Sequence, residues 1–177
     1  IERFSNPQVR DTIARLCAES SDRIPKWLLP VVRQQLATGG ALREDGAVIF
    51  AKTTCPDYGM LSSGLSSFHH LSRNPWNISQ NPGGSSAGAS AAAAAGYGPL
   101  HIGTDIGGSV RLPAGWTGVF GFKPSHGRIP VDPYYVGRCA GPMARTVEDA
   151  AFSMATLSRP DWRDGTTLTT PSGTPQR

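Results

Sequence analysis

Three observations predict an α/β fold for this 177-residue chain. Short apolar runs at Ala47–Ala51 (AVIFA), Pro99–Thr104 (PLHIGT) and Val119–Lys123 (VFGFK) read as strands. Helix-forming stretches at Ser86–Ala95 and Thr146–Leu157 alternate with them, the pattern of a layered α/β domain. Two glycine-rich turns, Gly83-Gly84-Ser85-Ser86 and Ile106-Gly107-Gly108-Ser109, sit where these pieces change direction.

Residues 7–18 place Val9, Ile13 and Leu16 near helical spacing, with Pro7 at a tolerated first-turn position. A second helix is predicted over Pro30–Ala37, stopped by Gly39-Gly40. The AVIFA run has β-branched residues and is expected to be a buried strand. Cys55 to Gln80 reads mostly as loop, with Asn74-Pro75 and Asn81-Pro82 as turn signals. Ser86–Ala95 is rich in alanine, the best helix former, and Gly96 closes it. Its small side chains let other backbones come close, which predicts a central helix. Thr146 followed by Asp149 resembles a capping box, and Val147, Ala150, Ala151 and Met154 form an apolar face. From Ser158 onward Pro, Asp, Gly, Thr and Ser dominate without periodicity, which predicts a loose tail. The expected organisation is a helical N-terminal segment (1–40), a core (41–165) and a tail (166–177).

The bulk numbers exclude several classes. Net charge is +4 with only 17% charged residues and no basic run, so no nucleic-acid partner is expected. Cys17, Cys55 and Cys139 are odd in number and form no CxxC pair, which fits a reducing, cytoplasmic compartment and no metal site. No run approaches a membrane span, and the N-terminus is not a signal peptide. The first residue is Ile rather than Met, and the chain is expected to be a piece of a longer one.

The chemistry is concentrated in Asn81–Pro113. If the Ile106–Ser109 turn exposes successive N–H groups, they converge as an oxyanion hole does, where losing one donor costs on the order of 3 kcal/mol of transition-state stabilisation. The plainer reading of Ser109 is a helix N-cap after a tight turn. Ser85 and Ser86 read equally as a cap for the alanine helix, as a hydroxyl relaying a proton, or as part of a phosphate cradle. A P-loop ending and a GxGxxG are both missing. Gly84-Ser85-Ser86-Ala87-Gly88 also fits the GxSxG elbow with Ser86 as nucleophile, but turn-like residues precede it where that elbow needs a strand.

The same stretch resembles the amidase signature family, serine hydrolases marked by GGSSGG…GTDxGGSxRxP. Here it reads Gly83-Gly84-Ser85-Ser86-Ala87-Gly88, then Gly103-Thr104-Asp105-Ile106-Gly107-Gly108-Ser109-Val110-Arg111-Leu112-Pro113. Outlying blocks follow in the family's order. They are Gly46–Thr53 (GAVIFAKT), Arg73-Asn74-Pro75-Trp76, Gly118–Pro124 (GVFGFKP) and Gly141–Val147 (GPMARTV). The resemblance implies part of the family fold, a mixed sheet with helices packed on both faces. It also implies hydrolysis of a carbon–nitrogen bond in a small-molecule amide, without metal or organic cofactor. Ser109 would be the nucleophile, Ser85 the bridging serine on a cis peptide, and the backbone of Ile106, Gly107 and Gly108 the oxyanion hole. Asp105 and Arg111 read as structural charges holding the turn.

The family's base is a lysine in an upstream strand, ahead of the GAVxxxKT block. Only three lysines are present, and Lys52 and Lys123 fall in other blocks. Lys26 lacks the following Asp and the apolar strand, and reads better as a solvated loop lysine. Residues 1–40 match no block, and Ala87 stands where the pattern has glycine. Impaired activity is therefore expected. A non-catalytic amidase-like binding domain and a fragment of a glutaminyl-tRNA amidotransferase-type subunit stay open.

Overall fold

The computed structural model describes residues 36–132 and 134–169. The expected helix over residues 7–18, most of the one over Pro30–Ala37, and the last eight residues lie outside them. The elements are helix α1 (Leu36–Glu44), a 3-10 turn (Asp57–Gly59), α2 (Ala87–Ala94), β1 (Leu100–Asp105), α3 (Arg111–Thr117), β2 (Phe120–Gly121), β3 (Cys139–Ala144) and α4 (Val147–Leu157).

The sheet among the described residues has the order β1-β3-β2, with both pairings antiparallel. β1 and β2 thus run the same way, and β3 lies between them. Register assigns the faces. His101, Gly103 and Asp105 pair with Met143, Gly141 and Cys139, while Ile102 pairs with Pro142. Met143 packs with Ala89 of α2, with Val110 just before α3 and with Ala114 of α3. Ile102 and Ala140 pack on the opposite side with Leu157 and Met154 of α4, Ile129, Val131 and Leu42 of α1. Helices therefore cover both faces, as expected.

Helix α2 is central, as its composition predicts: Ala87, Gly88, Ala89, Ser90 and Ala93 are buried. A Cβ on Gly88 would stand 2.4 Å from the Thr54 nitrogen, so only glycine admits the 53–55 backbone there. Helix α4 starts where expected, with the Thr146 hydroxyl accepting from the Asp149 N–H at 3.1 Å. Its buried stripe is Ala150, Ser153 and Leu157 rather than the predicted one, because Val147 is exposed and Ser153 satisfies its hydroxyl on the Ala150 carbonyl.

Four expectations change. Helix α1 runs through Gly39-Gly40 instead of stopping there; interior glycine costs only about 1 kcal/mol. Leu42 on the cluster beside α4, and Asp45 on Thr156 and Arg159, hold the helix, and the chain leaves it at Gly46 with φ +85°. Ala47–Ala51 lies outside the described sheet, because no described strand runs beside it, and Val48 and Phe50 are exposed. The unpredicted central strand is β3, whose Gly141 and Pro142 read as breakers. Residues 158–169 are not loose: buried Asp164 accepts from Val131 N at 2.9 Å, and Leu168 N donates to Gly127 O at 2.8 Å.

Candidate active site

β1 carries the chain to Asp105, and the 106–109 turn follows directly. Asp105 is fully buried beneath this turn. Its Oδ1 accepts from Gly108 N at 2.7 Å, and its Oδ2 from Val110 N at 3.1 Å and Arg111 N at 3.4 Å. The Arg111 guanidinium closes the carboxylate with two bonds of 3.0 Å, a bidentate pairing. Burial alone would raise the pKa of this group. The Arg111 side chain and the N–H groups of Val110, Gly108 and Arg111 outweigh it and hold the value at about 2. Asp105 is thus a permanent anion that shapes the turn and nucleates α3, the structural role expected of it and Arg111.

This arrangement removes the plain reading of Ser109. The residue at the N-cap of α3 is Val110, with no side-chain cap, and Asp105 supplies the acceptors instead. Ser109 is half-buried, and its hydroxyl is not taken by another described residue. The Gly108 N–H, one of the expected oxyanion donors, donates to Asp105 Oδ1 at 2.7 Å in this structure. Ile106 and Gly107 stay exposed at the surface of the turn.

The first glycine turn meets the second. Ser86 N donates to Ser109 O at 3.2 Å, a direct bond between the two. The Ser86 hydroxyl is not a helix cap either, although Ser86 stands at the N-cap of α2. It donates to Thr104 O at 3.2 Å and accepts from Thr104 N at 3.1 Å, pinning the turn to β1. That occupation, together with the non-strand residues before Gly83, disfavours Ser86 as a nucleophile. Gly103 must lack a side chain for the bond to form, since a Cβ there would lie 2.6 Å from the Ser86 oxygen. The Gly84–Ser85 peptide is cis. Ser85 is half-buried, and its hydroxyl, like that of Ser109, is uncommitted among the described residues. Ala87, the departure from the glycine of the signature, is fully buried at the start of α2 and the turn accommodates its methyl.

The lysines divide clearly. Lys26 lies outside the described residues. Lys52 is exposed. Lys123 donates to Pro124 O at 3.1 Å and approaches the Cys139 sulfur at 3.6 Å. His101, read from sequence as a core or turn histidine, is buried on β1 with Nε2 unpartnered among the described residues, and its pKa is lowered by burial. Among the described residues no cluster of His, Cys, Asp or Glu is arranged to hold a metal ion. No described helix is long and apolar enough to cross a membrane.

The molecule is thus an α/β layer in which two serine-bearing glycine turns are bonded to each other, and comparison supplies the family. Residues 40–177 match the amidase family, and the chain belongs to it. A glutamyl-tRNA(Gln) amidotransferase subunit from Saccharolobus solfataricus is 38% identical over 175 residues, covering 94% of this chain and 34% of that protein. The corresponding subunit from Symbiobacterium thermophilum is 47% identical over 131 residues, 71% of this chain and 26% of the relative. Among solved structures, a bacterial aryl acylamidase of the amidase signature family superposes with a TM-score of 0.71 at 38% identity. That superposition covers 76% of this chain and 29% of the acylamidase. The Thermotoga maritima subunit of the same amidotransferase gives a TM-score of 0.67 at 34% identity, over 76% of this chain and 30% of that one. The chain thus spans about a third or less of the length of these relatives. Residues 1–49 separately match the mannitol dehydrogenase C-terminal domain, so two family matches meet at residues 40–49.

Proposed function

We propose that the chain carries the nucleophile half of an amide-hydrolysing site. Ser109 Oγ attacks the carbonyl carbon of a small-molecule amide, and its proton passes to the Ser85 hydroxyl and on to a base. The N–H groups of Ile106 and Gly107 receive the developing oxyanion. The amine leaves with a proton, and water cleaves the acyl ester to release the acid. The observation that carries this reading is the bond from Ser86 N to Ser109 O, which joins the two turns while the Ser85 and Ser109 hydroxyls stay uncommitted among the described residues. No metal or organic cofactor enters the scheme. The unpaired thiols of Cys55 and Cys139 support a reducing, cytoplasmic setting.

The base is the weak member. Lys123 is engaged by Pro124 and Cys139, and Lys52 is exposed, so neither is a candidate for a neutral, buried lysine. Turnover by the 177-residue chain is accordingly expected to be slow or absent. The amidotransferase reading keeps its place because the curated relatives named above are amidotransferase subunits. On that reading the chain represents part of a larger protein that works with protein partners.

Labelling with a fluorophosphonate probe tests the nucleophile directly. The native chain is expected to label and the Ser109→Ala chain to stay unlabelled. Equal labelling of both removes Ser109 from the role.

A further inference from the structure

A pair of charged side chains that the proposed reaction does not use holds the loop beside the Ser85 hydroxyl. The 3-10 turn Asp57–Gly59 forms the apex of this loop. A Cβ built on Gly59 would have one neighbour, the Ser85 hydroxyl oxygen, at 3.9 Å. Tyr58 beside it has φ +56°, a left-handed conformation uncommon for a residue with a side chain. The turn's own bonds are short-range, Gly59 N to Pro56 O at 2.9 Å and Met60 N to Asp57 O at 3.2 Å.

What ties this turn to the rest of the loop is Asp57 and His69. The Asp57 carboxylate accepts from the Ser66 hydroxyl at 2.8 Å, the Ser67 hydroxyl at 2.7 Å and Ser67 N at 3.0 Å. His69 lies with Nδ1 at 2.8 Å from the His70 carbonyl oxygen and Nε2 at 2.8 Å from that of Cys55. A carbonyl oxygen only accepts, so both ring nitrogens must donate, and an imidazole with two N–H groups is the charged form. A neutral ring would turn a lone pair onto one of the two carbonyls. Asp57 is the charged side chain among the described residues whose field reaches this ring, and it favours the charged form.

We propose that Asp57 and His69 are positioning residues that clamp the 55–59 turn to the 66–70 segment and hold its apex against the Ser85 hydroxyl, the clamp being complete while His69 carries both ring protons. The functional side of this inference rests on Ser85 acting as the proton relay; the clamp itself does not. Donation to His70 and to Cys55, in that order, raises the His69 pKa above its ordinary 6.5. The tie is therefore complete below that ordinary value and is lost as pH rises through the higher folded-state value. Bonds from Ser67 and Ser66 lower the Asp57 pKa, so the carboxylate stays charged across the same window.

The test follows hydrogen exchange of the Gly59 and Met60 amides, with the His69 ring read by NMR, from about pH 5 to about pH 9, the range in which a histidine titrates. In the native chain, protection corrected for intrinsic exchange is expected to fall with the midpoint of the ring titration, while the β1–β3 amides stay protected. The His69→Gln chain, whose amide offers one donating nitrogen and one accepting oxygen at every pH and so cannot donate at both positions, is expected to lack this protection throughout. A ring that remains a single neutral tautomer, or native protection matching that of His69→Gln, overturns the clamp. Neither readout involves turnover. Failure of the proposed chemistry appears separately, as fluorophosphonate labelling that survives Ser109→Ala.

Discussion

The two serine turns are held in opposite ways. The Ser109 turn is gripped from beneath by its own segment: Asp105 reaches residues three to six positions onward and is itself fully buried. The Ser85 turn is gripped from outside by segments distant in sequence. A Cβ on Gly84 would meet Ser63 O at 2.5 Å and Leu61 O and Ser63 N at 2.6 Å, and one on Gly83 would meet the Pro113 Cα at 2.8 Å. Local capture makes the Ser109 turn a fixed part of the sheet. Remote capture makes the geometry of the Ser85 turn, which the Ser86 hydroxyl also pins to β1, depend in part on the 57–71 loop, where Tyr58, Met60 and Phe68 are 99%, 80% and 89% exposed and so contribute little burial to hold it.

Removing the local anchor is expected to have the largest effect. Asp105→Ala leaves the Gly108, Val110 and Arg111 N–H groups without their acceptor and the guanidinium without its partner. Leaving the buried Gly108 and Val110 N–H groups unsatisfied costs on the order of 1–3 kcal/mol each, measured as a fall in urea midpoint, while the half-exposed Arg111 guanidinium turns to water. Global loss accompanied by loss of Ser109 labelling sharpens the contrast between the turns; an unchanged midpoint breaks it. Gly84→Ala tests the remote grip and should cost about 1–3 kcal/mol, because the added methyl meets backbone atoms that have no rotamer to yield. Its labelling loss is expected to exceed what its stability loss explains, because the 61–63 backbone must move away from the Ser85 turn.

How much of this was legible follows the same division. β1, α2 and α4 stand out from periodicity, alanine content and the Thr146 cap, all local signals. Asp105 and Arg111 could be read as structural because both lie within the motif they hold. β3 was hidden because Gly141 and Pro142 look like breakers; its burial and its two neighbours, not its propensity, make it a strand. Helix α3 was hidden by Pro113 and Gly115, although proline is tolerated in a first turn and Asp105 caps the helix from the preceding strand. The commitment of Gly108 N to Asp105 was readable in principle, since an Asp three residues before a glycine turn is a local acceptor. The Asp57–His69 pair had no such signal: its partners lie up to 14 residues away in a loop without periodicity.

Acid should separate the two anchors by effects smaller than those of the substitutions at the buried site. Asp105 titrates near 3.8 when unfolded and at about 2 in the fold. A depressed carboxylate contributes stability that is fully present above the unfolded value and is lost as pH falls through the folded one. Between these two values the fold should lose about 2 kcal/mol from this buried group alone. Asp57 is also shifted downward, but it is open to solvent and its bonds go to the loop's own serines, so its protonation should loosen the loop and leave the global midpoint nearly unmoved. On the alkaline side the order reverses: deprotonation of His69 should release the loop while Asp105 remains charged and the sheet remains intact. Urea midpoints and residue-resolved exchange, measured across the same pH series, give the decisive pattern. A global limb in acid and a local limb in base mean that the turns are anchored independently. A single limb that moves β1 and the 57–71 loop together means that the Ser86 bonds to β1, and not the loop, dominate the grip on the Ser85 turn.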